Sequence, residues 1–282
     1  KIDPRYEVDD IVETEVTPRN FGRIAAQNAK QVVVQRIREA ERGMVFEKFS
    51  SRENDIVTGI IQRMENKNVY IDLGKAEAIL TPNEQIPGEI YQYHDRMKTY
   101  IVEVKKTSKG PQIMVSRTHP GLLKRLFELE VPEIHDGLVE IKSVAREPGM
   151  RSKISVYTKD ENIDPVGACV GHKGMRVQTI VNELRGEKID IVKYSSEPDQ
   201  YVANALSPAK VVSTEVLEEE KICRVIVPDY QLSLAIGKEG QNARLAAKLT
   251  GWKIDIKSES QAAEEAEQGA QEVGVAYEAD ED

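Results

Sequence analysis

"VGHKGMRVQTIVNELRGEKIDI" (170–191) and "IGKEGQNARLAAKLTGWKIDI" (236–256) are two runs of one chain built to the same plan. Each opens on an apolar residue and Gly-x-x-Gly and closes on Gly, a short gap and Lys-Ile-Asp-Ile. The glycine pairs alone mean little, because 18 glycines in 282 residues produce about one such pair by chance. The residues beyond each pair are decisive. A helical pattern runs from the glycines to a stop at Gly186 or Gly251, and a strand-like phrase begins at Lys188 or Lys253, with one residue of difference in length. Repetition of the whole element marks a duplicated structural unit.

Working outward, each copy is preceded by a helix and two strands. The first has "HPGLLKRLFELEVPE", "LVEIKSVARE", "RSKISVYT" and a short helix "DPVGACV"; the second has "DQYVANALSPA", "KVVSTEVL", "KICRVIV" and "YQLSLAI". A Gly-x-x-Gly turn between two helices brings backbone N–H groups to the surface without Cβ obstruction, where a helix N-terminus favours phosphate oxygens. That is the physical basis of the KH clamp on about four nucleotides of single-stranded backbone. The candidate RNA-binding residues are therefore Gly171, His172, Lys173, Gly174 and Arg176 in the first copy. In the second they are Gly237, Lys238, Glu239, Gly240, Gln241 and Arg244, with Glu239 the dissenting charge. The competing reading is that the glycines only close a helical hairpin. Aromatics are 5% of the chain, and the single Trp252 sits where a strand begins and reads as core, so base stacking is a minor expectation.

Upstream, "DIVTGIIQRMENKNVYIDLGKAEAILTPNEQIPGE" and "DRMKTYIVEVKKTSKGPQIMVS" hold five short β-rich runs separated by turn signals, the pattern of a small antiparallel barrel. Val69, Ile71 and Leu73 alternate with Tyr70 and Asp72, which sets Tyr70 on the outer face of the second strand. On an OB barrel that face is the oligonucleotide platform, so Tyr70 is a further RNA-binding candidate; a surface Tyr without such a role is the alternative. Before the barrel, Thr17-Pro18 and "RNFGRIAAQNAKQVVVQRIREAERG" predict a long helix capped by Thr17 and stopped by Gly43, with Phe21, Ile24, Val32, Val33 and Ile37 as a packing stripe.

Composition sets the outer limits. The net charge of −9 arises from the end of the chain: residues 259–282 carry Glu259, Glu264, Glu265, Glu267, Glu272, Glu278, Asp280, Glu281 and Asp282 and no Lys or Arg, leaving 39 acids against 39 bases in the body. Such a segment is expected to be a disordered acidic tail. No apolar run reaches the roughly 18 residues of a membrane span, and the expectation is a cytoplasmic protein with no membrane contact. Cys169 and Cys223 lie in apolar runs and read as buried side chains. No phosphate-loop motif is present, His94, His119, His135 and His172 are scattered, and no Cys/His metal spacing occurs; the chain is read as neither an enzyme nor a metal or cofactor protein. A protein-interaction scaffold and a ribosome-associated or ribosome-assembly KH protein are the rival classes, the latter disfavoured by tandem KH units after an OB barrel.

The phrases "FGRIAAQNAKQVV", "SRTHPGLLKRLFELEVPEI", "VEIKSVAREPG", "DPVGACVGHKG", "VNELRGEKIDIV", "VANALSPAKV" and "VIVPDYQLSLAIGKEGQNARLAAKLTGWKIDI" resemble the NusA family of bacterial transcription factors over most of residues 11 to 258. The resemblance implies an α+β multidomain chain. Its parts are the C-terminal part of an N-terminal polymerase-binding domain (1–50), a five-stranded antiparallel OB barrel of the S1 type (51–118), two tandem type II KH domains (119–196 and 197–258) and the disordered acidic tail (259–282). It further implies contact with single-stranded nascent RNA, RNA polymerase and other antitermination factors, with a role in pausing, termination and antitermination. The polymerase-docking head of the N-terminal domain is expected to be missing before the helix. Where many barrels of this type carry Gly before Asp-Arg, this chain has His94.

Overall fold

The computed structural model describes residues 21–265 and 267. Helix α1 (Phe21–Ser50) leads into strands β1 (Ile56–Glu65), β2 (Asn68–Asp72), β3 (Glu77–Leu80), β4 (Arg96–Thr107) and β5 (Gly110–Ser116), which close a barrel in the order β1-β2-β3-β5-β4. Every pairing is antiparallel except the closure, where β3 runs parallel to β5. The alternation read from the sequence holds: Val69, Ile71, Ala78 and Leu80 point inward and are buried, and Tyr70 lies between two of them on the outside.

Gly43 does not stop α1. A mid-helix glycine costs about 1 kcal/mol, but Val45, Phe46 and Phe49 continue the helical spacing onto the barrel core, and burial of one such side chain contributes about 2 kcal/mol. Arg42 adds a bond to the Ser108 carbonyl at 3.3 Å. The stripe expected to pack lies further back, and there Ile24, Val32, Val33 and Ile37 are exposed. The proposed Thr17 cap and the Phe21 side chain lie outside the described residues.

The first KH unit comes next as α2 (Pro120–Glu130), α3 (Pro132–His135), β6 (Val139–Glu147), β7 (Arg151–Thr158), α4 (Pro165–Val170), α5 (Met175–Glu183) and β8 (Lys188–Lys193). Its sheet, β6-β7-β8, pairs antiparallel and then parallel. The second unit repeats the order with α6 (Pro198–Ala205), β9 (Ser213–Leu217), β10 (Ile222–Val227), α7 (Leu232–Ile236), α8 (Gln241–Thr250) and β11 (Lys253–Ser258).

The first sheet is buried on both faces. Ile154 and Val156 of β7 join the helices of their own unit, whereas Ala145 and Val192 join the core of the second unit with Val202, Ala205, Leu245 and Leu249. Polar groups on that second face find partners across the seam: the Tyr201 hydroxyl is 2.8 Å from the Ser155 hydroxyl and 3.1 Å from the Leu249 carbonyl. The fully buried Lys153 ammonium donates to Asp190 at 2.9 Å and to the Ser207 carbonyl at 2.8 Å.

A second buried lock joins the barrel to the first KH unit. The Arg117 guanidinium, with a side chain 1% exposed, pairs with the 2% exposed Glu89 and donates to the carbonyls of Lys98 (2.9 Å) and Glu183 (3.0 Å). Beside it the Tyr100 ring stacks on His119 at 4.6 Å, and Gly121 approaches so closely that a Cβ there would lie 2.5 Å from that ring. Deeper in the KH unit Arg146 and Glu187 form a fully buried pair with two bonds of 2.8 Å, and Arg146 reaches the His119 carbonyl.

The expected disordered tail does not begin at Glu259: residues 259–265 are helical. Ser258 and Gln261 cap each other reciprocally, and Ser260 bonds through its hydroxyl to Asp229 at 2.8 Å. The rest of that segment, 266 and 268–282, lies outside the described residues.

The buried pairs make the stability of the fold sensitive to single charges. Arg117→Met removes the guanidinium from the buried Glu89 carboxyl, leaving it among the described residues only the Tyr91 hydroxyl at 2.8 Å, and should cost about 3–5 kcal/mol in urea unfolding. For Glu187, burial pushes the carboxyl up, but the bonds from Arg146, Ser152 and the Gly149 N–H outweigh it and hold the group below its ordinary value of 4.5. A carboxylate depressed in the folded state stabilises above its unfolded pKa and loses that contribution as pH falls through the folded value. The stability gap between the protein and Glu187→Gln should therefore be full near pH 7 and shrink below about pH 4.5, as read by urea unfolding at each pH.

Candidate nucleic-acid interface

The two Gly-x-x-Gly turns adopt one backbone. Gly171 has φ 73° and ψ 177°, Lys173 φ 50° and ψ 28°, and Gly174 φ 76° and ψ 12°. Their counterparts Gly237 (79°, 170°), Glu239 (53°, 27°) and Gly240 (74°, 14°) match them angle by angle. Positive φ at three of four positions explains the glycines at the ends, while Lys173 and Glu239 carry the left-handed conformation as non-glycine residues.

The two glycines of each pair differ in what surrounds them. A Cβ on Gly171 would lie 2.6 Å from Arg176, and one on Gly237 would lie 2.7 Å from the backbone nitrogen of Asn242. A Cβ on Gly174 would meet nothing within 4 Å, and one on Gly240 would meet only the Arg244 guanidinium at 3.9 Å. The first glycine thus permits close helix packing, and the second leaves open space beside the turn. His172, Lys173, Lys238 and Glu239 are exposed at the tips, and among the described residues their N–H groups have no backbone partner. Each turn therefore presents unsatisfied donors toward solvent at the start of a helix, an anion-binding arrangement.

Each unit also carries an apolar strip on an edge strand. Ile189 and Ile191 on the edge strand β8, and Ile254 and Ile256 on the edge strand β11, are half-buried against the helices of their units. Asp190, between the first pair, turns to the other face and binds Arg151 and Lys153. The repeated Lys-Ile-Asp-Ile thus sets two half-buried isoleucines on the edge strand of each unit.

Three of the cationic or polar candidates are engaged elsewhere. Arg176 donates to the Ala168 carbonyl at 2.6 Å and to Glu133 at 2.9 Å, which makes it a strut beneath the first turn. Asn242, at the same spacing in the second copy, donates to the carbonyls of Ala235 and Leu206 at 3.0 Å each; its own carbonyl oxygen is buried without a partner among the described residues. Sequence reading misses Asn242, although its alignment with Arg176 is visible in the repeat. Gln241 and Arg244 both reach Glu147, at the end of β6 in the first unit.

On the barrel, Tyr70 is on the outer face as expected. The Arg63 guanidinium lies 3.8 Å from its ring centroid and is itself held by Glu77 and Glu65 at 2.7 and 2.8 Å. His94 adopts φ 70°, the left-handed region that suits glycine, and packs its ring 3.9 Å from that of Tyr93. Cys169 is buried, and burial pushes its thiol up to about 12. Among the described residues no His, Cys, Asp and Glu cluster could hold a metal, and no helix is long and apolar enough to cross a membrane.

Comparison with known proteins covers the same ground segment by segment. The NusA N-terminal domain family matches residues 1–43, the S1 RNA binding domain 50–116, the NusA-like first KH domain 117–194 and the NusA-like second KH domain 198–264. The transcription termination/antitermination protein NusA of Halalkalibacterium halodurans is 72% identical over 263 residues, spanning 93% of this chain and 69% of that protein. The protein of the same name from Bacillus subtilis is 70% identical over 93% of this chain and 71% of its own length, and that of Thermus thermophilus is 47% identical over 89% and 65%. With four successive domain families matched in order and relatives at this identity, the chain belongs to the NusA family.

Proposed function

We propose that this protein is a single-stranded-RNA-binding transcription factor that contacts nascent RNA at bacterial RNA polymerase and modulates pausing, termination and antitermination. The observation that carries the reading is the pair of matching Gly-x-x-Gly turns, each with free N–H groups, an exposed Lys and an apolar strip, fixed in one packed array behind an S1-type barrel. Its membership in the NusA family supports the transcriptional setting. The protein acts by binding: phosphates dock on the turn N–H groups and on Lys173, His172 and Lys238, and splayed bases lie on the isoleucine strips. Gly171, Gly174, Gly237 and Gly240 keep the backbone in place, and Arg176 braces the first turn from below. Tyr70 with Arg63 offers an accessory contact on the barrel.

The domain division at 1–50, 51–118, 119–196 and 197–258 is part of the same proposal, as is the partnership with polymerase and other antitermination factors. The test of the transcriptional role is pause duration and terminator read-through by bacterial RNA polymerase with and without the protein. An unchanged pause and unchanged read-through would remove it.

The packed array makes a specific demand on RNA binding. His172→Asp with Lys173→Asp, and separately Lys238→Asp, should each weaken one and the same unstructured RNA by about tenfold at low salt, because each sets negative charge against phosphate. Fluorescence anisotropy with a single labelled RNA reads both; two RNAs each sensitive to only one change would contradict a shared strand. A perfect duplex should bind far more weakly than the single strand, since the strip beside a KH turn accepts unstacked bases.

A further inference from the structure

The second turn is tied to the first KH unit, and among the described residues the first turn has no equivalent tie. Arg244, in the first turn of α8, donates from Nε to Glu147 Oε1 at 2.6 Å and from Nη1 to the Glu239 carbonyl at 3.0 Å. Gln241 occupies the other carboxylate oxygen at 2.9 Å. Glu147 is only 16% exposed and belongs to β6 of the first unit, so a carboxylate from one domain grips the residue that in turn grips the left-handed peptide of the other domain's clamp. Arg244 and then Gln241 hold the Glu147 carboxyl below its ordinary range, which keeps it charged.

The corresponding positions in the first copy are Gln178 and Met175. Gln178 bonds within its own helix to Asn182, and Met175 is exposed. The first turn nevertheless has the same backbone angles as the second. The tie is therefore not what shapes the turn. Its other effect is on the guanidinium itself. Arg244 stands on the open side of Gly240 as the nearest group to where a Cβ would be, its side chain is 46% exposed, and its Nη2 has no partner among the described residues. Two of its nitrogens are spent on fixing it, and the third has no partner among the described residues on a guanidinium held next to the turn.

We infer that Glu147 is a positioning residue for RNA: from the first KH unit it holds Arg244 so that Nη2 completes the phosphate site of the second turn. The inference rests on the RNA-binding reading of the two turns. Arg244 is then a phosphate ligand that is preorganised only in the tandem, since an arginine fixed before the ligand arrives loses less side-chain freedom on binding. The second unit alone keeps its turn but lacks the carboxylate that aims its arginine.

The experiment is a double-mutant cycle on the full chain with a fluorescein-labelled, random-sequence RNA of about twelve nucleotides, enough for two modules that each hold about four. Glu147→Ala should weaken binding about fivefold to tenfold at low salt and reduce the logarithmic salt slope by about 0.7, the signature of one lost phosphate contact on a single strand. Arg244→Gln should do the same, and the double variant should be no weaker than Arg244→Gln alone. Glu147→Gln, which keeps the shape and one acceptor, serves if the alanine variant fails to fold, and should fall between. A purely structural Glu147 would lower affinity further in the Arg244→Gln background without moving the slope, which overturns the inference, as does tighter binding by Glu147→Ala. If Lys238→Asp weakens the RNA and Glu147→Ala does not, the turns bind RNA and only this inference falls. If neither does, the reading of the turns falls with it.

Discussion

A three-stranded sheet has two faces, and the helices of one KH unit cover only one of them. Strand β7 shows what this demands: Ile154 and Val156 point toward the unit's own helices, while Lys153 and Ser155 on the opposite face are equally buried. Removing these polar groups from water is tolerable only because each meets a partner, Asp190 and the Ser207 carbonyl for the lysine and Tyr201 for the serine. Tyr201, Ser207 and the apolar groups around them come from α6, the segment that follows it and α8 of the second unit. The covering of one sheet face is thus the act that sets the second KH unit in place, and everything about the relative placement of the two turns depends on it.

The barrel is attached by different physics. Its link to the first KH unit centres on a buried ion pair, Arg117 with Glu89, buttressed by two backbone carbonyls and the Tyr100–His119 stack. Such a pair adds little net stability relative to an apolar core, but a mispaired arrangement would strand a charge in the interior. Apolar surfaces can slide over one another; a guanidinium with several fixed acceptors cannot. The seam between the KH units combines both devices, with a shared apolar core and hydrogen bonds at its margins.

How far this can be read from sequence differs from residue to residue. The turns are legible because glycine spacing and helical period are local properties, and the repeat allows one copy to check the other. The barrel is legible through alternation, although the parallel closure of β3 on β5 is not, since strand neighbours distant in sequence leave no local mark. Arg176, Gln241 and Arg244 fall beside the turns as their spacing predicts, but spacing locates a side chain along its helix and is silent on which group it meets across roughly ninety residues of chain, here Glu147 for two of them. Gly43 misleads because a stop signal is only about 1 kcal/mol deep and the apolar residues beyond it outweigh it. The helix at 259–265 carries its own sign, Ser258 and Gln261 in capping register, masked by the acidic composition around it.

The burial of the first sheet on both faces has a consequence for what the protein can measure. Two clamps on a flexible linker would accept any two short stretches, whatever lay between them, and would gain by avidity alone. Two clamps whose separation is set by a shared core behave as a fixed gauge. On the proposed reading, a strand held at both ends would have to span the interval with a particular number of unpaired nucleotides, and a hairpin or a shortened spacer there would be excluded by length and not by the identity of its bases. Recognition of this kind would discriminate between transcripts by where they remain unfolded as the RNA emerges.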